Sequence, residues 1–158
     1  MIEIENKLKE LGIELNNTPI PLGSYVPAKI SGNLIFVSGQ LPIMDGKLVF
    51  EGKVDSDITV EQGYDAARIS AINCLSVIKF AIGDFSKLNK IVKVTGYVSS
   101  SMGFTRQANV VNGASDLFAE VLGEDGKHSR VAVGVYELPL NSPVELEVVA
   151  EISSDYSY

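Results

Sequence analysis

The stretch SRVAVGVYELPLNSPVELEVVAEI (129–152) decides the fold. Its two parts, 129–138 and 143–152, alternate apolar and other residues with the two-residue period of a β-strand. Only LPLNS joins them. Parallel neighbours need a crossover of about a dozen residues or more, so this spacing predicts an antiparallel pair and excludes an all-parallel doubly wound sheet. In the second part Val144, Leu146, Val148, Ala150 and Ile152 share one face, and Glu145, Glu147, Val149 and Glu151 share the other. In the first part Val131, Val133 and Val135 read as the apolar face, which turns Arg130, Ala132, Gly134 and Tyr136 to the opposite side.

Working outward, the period changes to 3.6 in two places. From Thr59 onward Ala67, Cys74, Leu75, Ile78 and Ile82 recur on one face, with Thr59 as N-cap and Gly83 as stop, predicting a helix over 59–82. A second helix is expected over 105–122, with Ala108, Val111, Ser115, Phe118 and Leu122 along one side and Gly123 after it. KIVKVTGYVSS (90–100) and NLIFVSG (33–39) read as strands, and Asp45-Gly46 between short apolar runs reads as a hairpin turn. The three prolines and two glycines of NNTPIPLGSYVPAKISG (16–32) predict turns or irregular extended chain. Ile4, Leu8 and Leu11 stand at helical spacing before Gly12, so an N-terminal helix is expected within 1–15. The chain thus reads as one α+β domain over 1–158, with a core at 16–153 and a frayed tail at 154–158. A mixed sheet would carry two long helices on one face. Its other face, partly apolar and partly charged, suits pairing with copies of the chain.

Composition narrows the chemistry. A length of 158 residues with 46% apolar content supports one ordinary core without cross-links. Twenty acidic against thirteen basic side chains give a net charge of −7 with no Lys/Arg block, which argues against nucleic acid as a partner. Cys74 and His128 are the only residues of their types, so cysteine-based zinc sites, disulfides and multi-histidine metal sites are excluded. No apolar run reaches the roughly 18–20 residues that cross a bilayer, and the start MIEIENKLKE lacks the basic-then-apolar pattern of an export signal. A cytoplasmic protein without membrane contact is expected.

The constellation singled out is Arg130 beside Glu145 on neighbouring strands, with Ala132 and Gly134 leaving room above the sheet. Two readings stand. A guanidinium fork grips a carboxylate at two points, with Glu145 managing a water, or the two side chains form a cross-strand ion pair. Tyr25 reads as a loop aromatic or a cleft residue, and Asn112 as a polar helix residue or a cleft residue. Cys74 reads as a small buried hydrophobe. His128 reads as loop surface or as a group that tunes the cleft. Glu147 and Glu151 read as solvated or interface groups.

The segments GSYVPAKISGNLIFVSGQLP (23–42), VVNGASDLF (110–118), HSRVAVGVYELP (128–139) and PVELEVVAEI (143–152), in this order, resemble the RidA/YjgF family of enamine and imine deaminases. The resemblance is closer to its longer branch with an extra N-terminal helix. It implies a chorismate mutase-like fold and a homotrimer whose sheets form a central β-barrel with clefts between subunits. It further implies a small carboxylate-bearing ligand, hydrolysis of 2-imino acids or enamines to 2-keto acids and ammonia, and no metal or other cofactor. By the same resemblance Arg130 and Glu145 are catalytic, and Tyr25, Gly39, Asn112 and Arg130 bind substrate. A trimeric module that binds small carboxylates such as 2-keto acids without turnover is the alternative. Where the family archetype carries a cysteine two positions after the arginine, this chain has Ala132.

Overall fold

A computed structural model describes residues 2–16, 21 and 23–154. Helix α1 (Ile2–Glu10) is followed by strands β1 (Ala28–Ser31) and β2 (Leu34–Gln40) and the small hairpin β3 (Ile43–Met44) and β4 (Lys47–Leu48). Then come α2 (Val60–Ile82), β5 (Leu88–Ser99), α3 (Gln107–Leu122), β6 (Ser129–Val135) and β7 (Val144–Ile152). The main sheet runs β1-β2-β7-β5-β6. All its pairs are antiparallel except β5 with β6, which is parallel. The architecture is α+β, with α2 resting on β2 and β7 and α3 on β5 and β6.

Local signals explain most of these elements. Thr59 and Gln62 form a reciprocal capping box: the Thr59 hydroxyl accepts from the Gln62 amide at 3.1 Å, and the Gln62 side chain accepts from the Thr59 amide at 2.9 Å. Gly83 ends α2 with φ 80°. Asp45 and Gly46 both take positive φ in the two-residue turn between β3 and β4. Val144, Leu146, Val148, Ala150 and Ile152 are all buried under the helices, as their alternation predicts. Cys74 is fully buried, and desolvation pushes its thiol far above the ordinary range.

Three expectations are corrected. First, the last two strands do not pair. Because α3 supplies a long crossover between β5 and β6, β6 docks parallel to β5 at the sheet edge, and β7 inserts between β5 and β2. The short connector passes across the end of β5, where the Ser99 amide donates to the Pro143 carbonyl at 2.9 Å and the Gly52 amide donates to the Asn141 carbonyl at 2.8 Å. Leu140 and Asn141 adopt left-handed φ values of 57° and 59° to make that passage.

Second, β6 presents the opposite faces from those expected. Val131 and Val133 are exposed, while Arg130 and Ala132 lie on the helix side. The reason is how closely α3 approaches. A Cβ at Gly96, the partner of Ala132, would lie 2.5 Å from Val111, and one at Gly134 would lie 2.8 Å from the Gln107 amide nitrogen. Small residues belong beneath this helix, and the valines face away. Third, the proline-rich segment contains the edge strand β1. Residues 1, 17–20, 22 and 155–158 lie outside the described residues, so the expected tail is described only at Ser154.

Candidate functional site

Arg130 stands on β6 opposite Val94, beneath α3. Its Nη1 donates to Asn112 Oδ1 at 2.8 Å and to Ser115 Oγ at 3.1 Å, and Nη2 donates to the Ala108 carbonyl at 3.5 Å. Asn112 and Ser115 are three residues apart on α3, so their side chains descend from one face of the helix onto the guanidinium. All three acceptors are neutral. Among the described residues no carboxylate forms an ion pair with Arg130, so its charge is oriented but not neutralised. It borders a hollow of about 370 Å³ shared with Asn112, Ser115, Asp116, Lys127 and His128.

His128 is not loop surface. Its ring meets the Gly126 carbonyl at 2.6 Å through Nδ1 and Ser115 Oγ at 2.9 Å through Nε2, and it stands edge-on to Phe118 with centroids 5.8 Å apart. Burial lowers its pKa below the ordinary histidine value; the Gly126 hydrogen bond opposes that shift and the Arg130 charge adds to it.

Glu145 lies on the other face of the sheet, opposite Tyr97. Its carboxyl is laid against the backbone of Gly39: a Cβ there would fall 2.0 Å from Glu145 Oε1, so only glycine admits the carboxylate. Burial raises the Glu145 pKa above the ordinary carboxyl range, and the neighbouring Glu147 charge raises it further. Glu147 in turn accepts a hydrogen bond from the Tyr97 hydroxyl at 3.0 Å. A pocket of about 620 Å³ opens here, lined by Tyr25, Pro27, Ser38, Gly39, Pro139 and Glu145. The Ser38 hydroxyl donates to the Val26 carbonyl at 2.7 Å and anchors the Tyr25 loop beside β2.

The structure therefore brings Arg130 together with Asn112, and Glu145 together with Tyr25 and Gly39. It separates the two groups. Val94 and Tyr97, the β5 partners of Arg130 and Glu145, are an odd number of residues apart, so the arginine and the glutamate project from opposite faces with β5 between their strands. The cross-strand ion pair is excluded on the same ground. Sequence reasoning offered His128 as a group that tunes the cleft but missed Ser115, which links it to Arg130. The available signal was Ser115 one turn after Asn112 on the same helix face.

Comparison with known proteins identifies the family and the fold. The family described as "YjgF/chorismate mutase-like, putative endoribonuclease" matches residues 5–152. Protein TCP17 of Trypanosoma cruzi is 40% identical over 148 residues, covering 93% of this chain and 92% of that protein. The crystal structure of Atu1372 from Agrobacterium tumefaciens, a protein of unknown function, is 46% identical with a TM-score of 0.88, covering 96% of this chain and 92% of that one. Escherichia coli TdcF, crystallised with bound serine, is 25% identical with a TM-score of 0.64, covering 87% of this chain and 94% of that one. The chain belongs to the RidA/YjgF family and has the chorismate mutase-like fold.

Proposed function

We propose that the chain hydrolyses reactive 2-imino acids, or their enamine tautomers, to 2-keto acids and ammonia in a cleft shared between copies of a homotrimer. The carrying observation is Arg130: a guanidinium fixed by three neutral acceptors, with no anionic partner among the described residues, facing a hollow. Such a group fits a small carboxylate. Glu145, a carboxyl with a raised pKa beside a pocket, fits a proton manager. Since the two face opposite sides of one sheet, one small molecule meets both only if Arg130 of one copy faces Glu145 of a neighbour. The exposed Phe36, Val131 and Val133 on the open face support association of that kind.

In this reading the substrate carboxylate sits on Arg130 beside Asn112. Water adds to the imine carbon, the carbon–nitrogen bond breaks, and nitrogen leaves as ammonia. Glu145 holds the water and passes a proton to the departing nitrogen, while Tyr25 and Gly39 shape the pocket around it. A binding module without turnover is the second reading, favoured by the serine-bound relative. The ribonuclease named in the family description is disfavoured by a net charge of −7.

The test supplies 2-iminopropanoate from an amino-acid oxidase acting on alanine and traps the surviving imine with semicarbazide. The protein is expected to lower the trapped fraction, and Arg130→Ala to remove that effect. Saturable pyruvate binding without faster imine loss would establish the second reading, and failure with every imino acid tried would overturn the first.

A further inference from the structure

We propose that Ser115 and His128 are positioning residues for Arg130, forming with the Gly126 carbonyl a one-directional hydrogen-bond chain that holds the guanidinium ready for an anion. The direction follows from donor and acceptor chemistry. Arginine only donates, so Ser115 Oγ, at 3.1 Å from Nη1, accepts from it. The Ser115 proton is then directed to the other neighbour, His128 Nε2 at 2.9 Å, which accepts only in a neutral imidazole protonated on Nδ1. Nδ1 has a matching acceptor in the Gly126 carbonyl at 2.6 Å, and Gly126 is buried. A backbone carbonyl thus sets the histidine tautomer, the histidine sets the serine rotor, and the serine fixes one arm of the arginine. Asn112 fixes the same arm from the helix side.

The surroundings favour the neutral ring. Arg130 faces it from β6, Phe118 packs on it from α3, and Lys127 and Asp116 line the same hollow, with Glu124 and Asp125 on the preceding turn. Lys127 is paired with Glu124, and Asp116 accepts a hydrogen bond from Tyr64. None of these carboxylates forms an ion pair with the imidazole, so nothing there would stabilise a second cation beside Arg130.

This inference rests on Arg130 as the carboxylate anchor, and two measurements separate the failure of one from the failure of the other. Imidazole ¹⁵N NMR of the whole protein should report the Nδ1–H tautomer of His128; a dominant Nε2–H tautomer overturns the chain regardless of ligand. Pyruvate affinity should fall about tenfold in Ser115→Ala and in His128→Phe, the scale of losing one hydrogen bond to a charged group. Ser115→Thr and His128→Gln, which keep an acceptor in place, should recover most of that loss. In the imine assay the same variants should raise KM with kcat little changed. Unchanged affinity in Ser115→Ala while Arg130→Ala loses binding would overturn the positioning role. Unchanged affinity in Arg130→Ala would overturn the carboxylate anchor instead, leaving the tautomer to decide the chain.

Discussion

The Arg130 and Glu145 regions hold their charged groups by different means. Arg130 donates to three neutral acceptors on α3, one of which, Ser115, is bonded in turn to the His128 ring, and no carboxylate among the described residues pairs with it. Glu145 is held by crowding: Gly39 lets its carboxyl lie against the backbone, while burial and the Glu147 charge make ionisation costly. The first arrangement suits gripping a ligand, whose energy depends on donors being in place beforehand. The second suits moving a proton, whose efficiency depends on a pKa close to the working range.

Five experiments break or sharpen that contrast. The largest effect concerns the separation itself. Arg130→Ala and Glu145→Gln chains, each nearly inactive alone, should recover roughly a quarter of wild-type imine hydrolysis when unfolded and refolded together in equal amounts, because even mixing gives that share of clefts one intact residue from each side. A mixture that stays silent would break the proposal of a shared cleft. Taken singly, Glu145→Gln should lower kcat by about 10²–10⁴-fold, the usual contribution of a positioned acid–base group, with pyruvate affinity nearly kept. Arg130→Ala should do the reverse to affinity, as calorimetry would show.

Smaller changes act on the scaffolds. Gly39→Ala should displace the Glu145 carboxyl and cost about 100-fold in kcat/KM, the scale of a misplacement near 1 Å. Its melting temperature should move little, because the crowded atom is the end of a flexible side chain. Gly113→Ala should behave oppositely. Its Cβ would fall 2.0 Å from the Tyr64 carbonyl, forcing α2 and α3 apart at a cost of about 1–3 kcal/mol in unfolding free energy and shifting Asn112 and Ser115 away from Arg130.

The smallest effect is on the pH dependence of stability, where the two regions carry opposite signs. Glu145 titrates higher when folded, so above its ordinary value of 4.5 the native chain binds more protons than the unfolded one, and stability falls as pH rises through that window. His128 titrates lower when folded, so below its ordinary value of 6.5 the unfolded chain binds more protons, and stability falls as pH drops. Urea midpoints across pH should lose the first slope in Glu145→Gln and the second in His128→Phe.

The legible parts of this fold are those whose signals are local. The Thr59 cap, the Asp45-Gly46 turn and the alternation from Val144 to Ile152 each specify their element within a few residues. The order of strands was not legible, because it depends on α3 carrying the chain to the far side of β5. The faces of β6 were read backwards for a related reason. Valine alternating with alanine and glycine leaves either side eligible for burial, and the choice fell to Val111 and Gln107, which need room above Gly96 and Gly134. At the site, the alternation of β7 puts Glu145 on the face away from the helices, where it lies, but the same reading set Arg130 beside it on that face, and the structure separates them. The resemblance implied only that Arg130 and Asn112 share a cleft; their hydrogen bond, and the link from Ser115 to His128, appear once helix and strand are brought together.

The opposed outlook of Arg130 and Glu145 has a consequence for how activity would respond to dilution. If the two halves meet only across a boundary between copies, a lone chain is catalytically inert however well it is folded. Turnover per chain would then decline once the protein is thinned below the concentration at which its copies part, and substrate bridging both halves would hold the copies together by mass action.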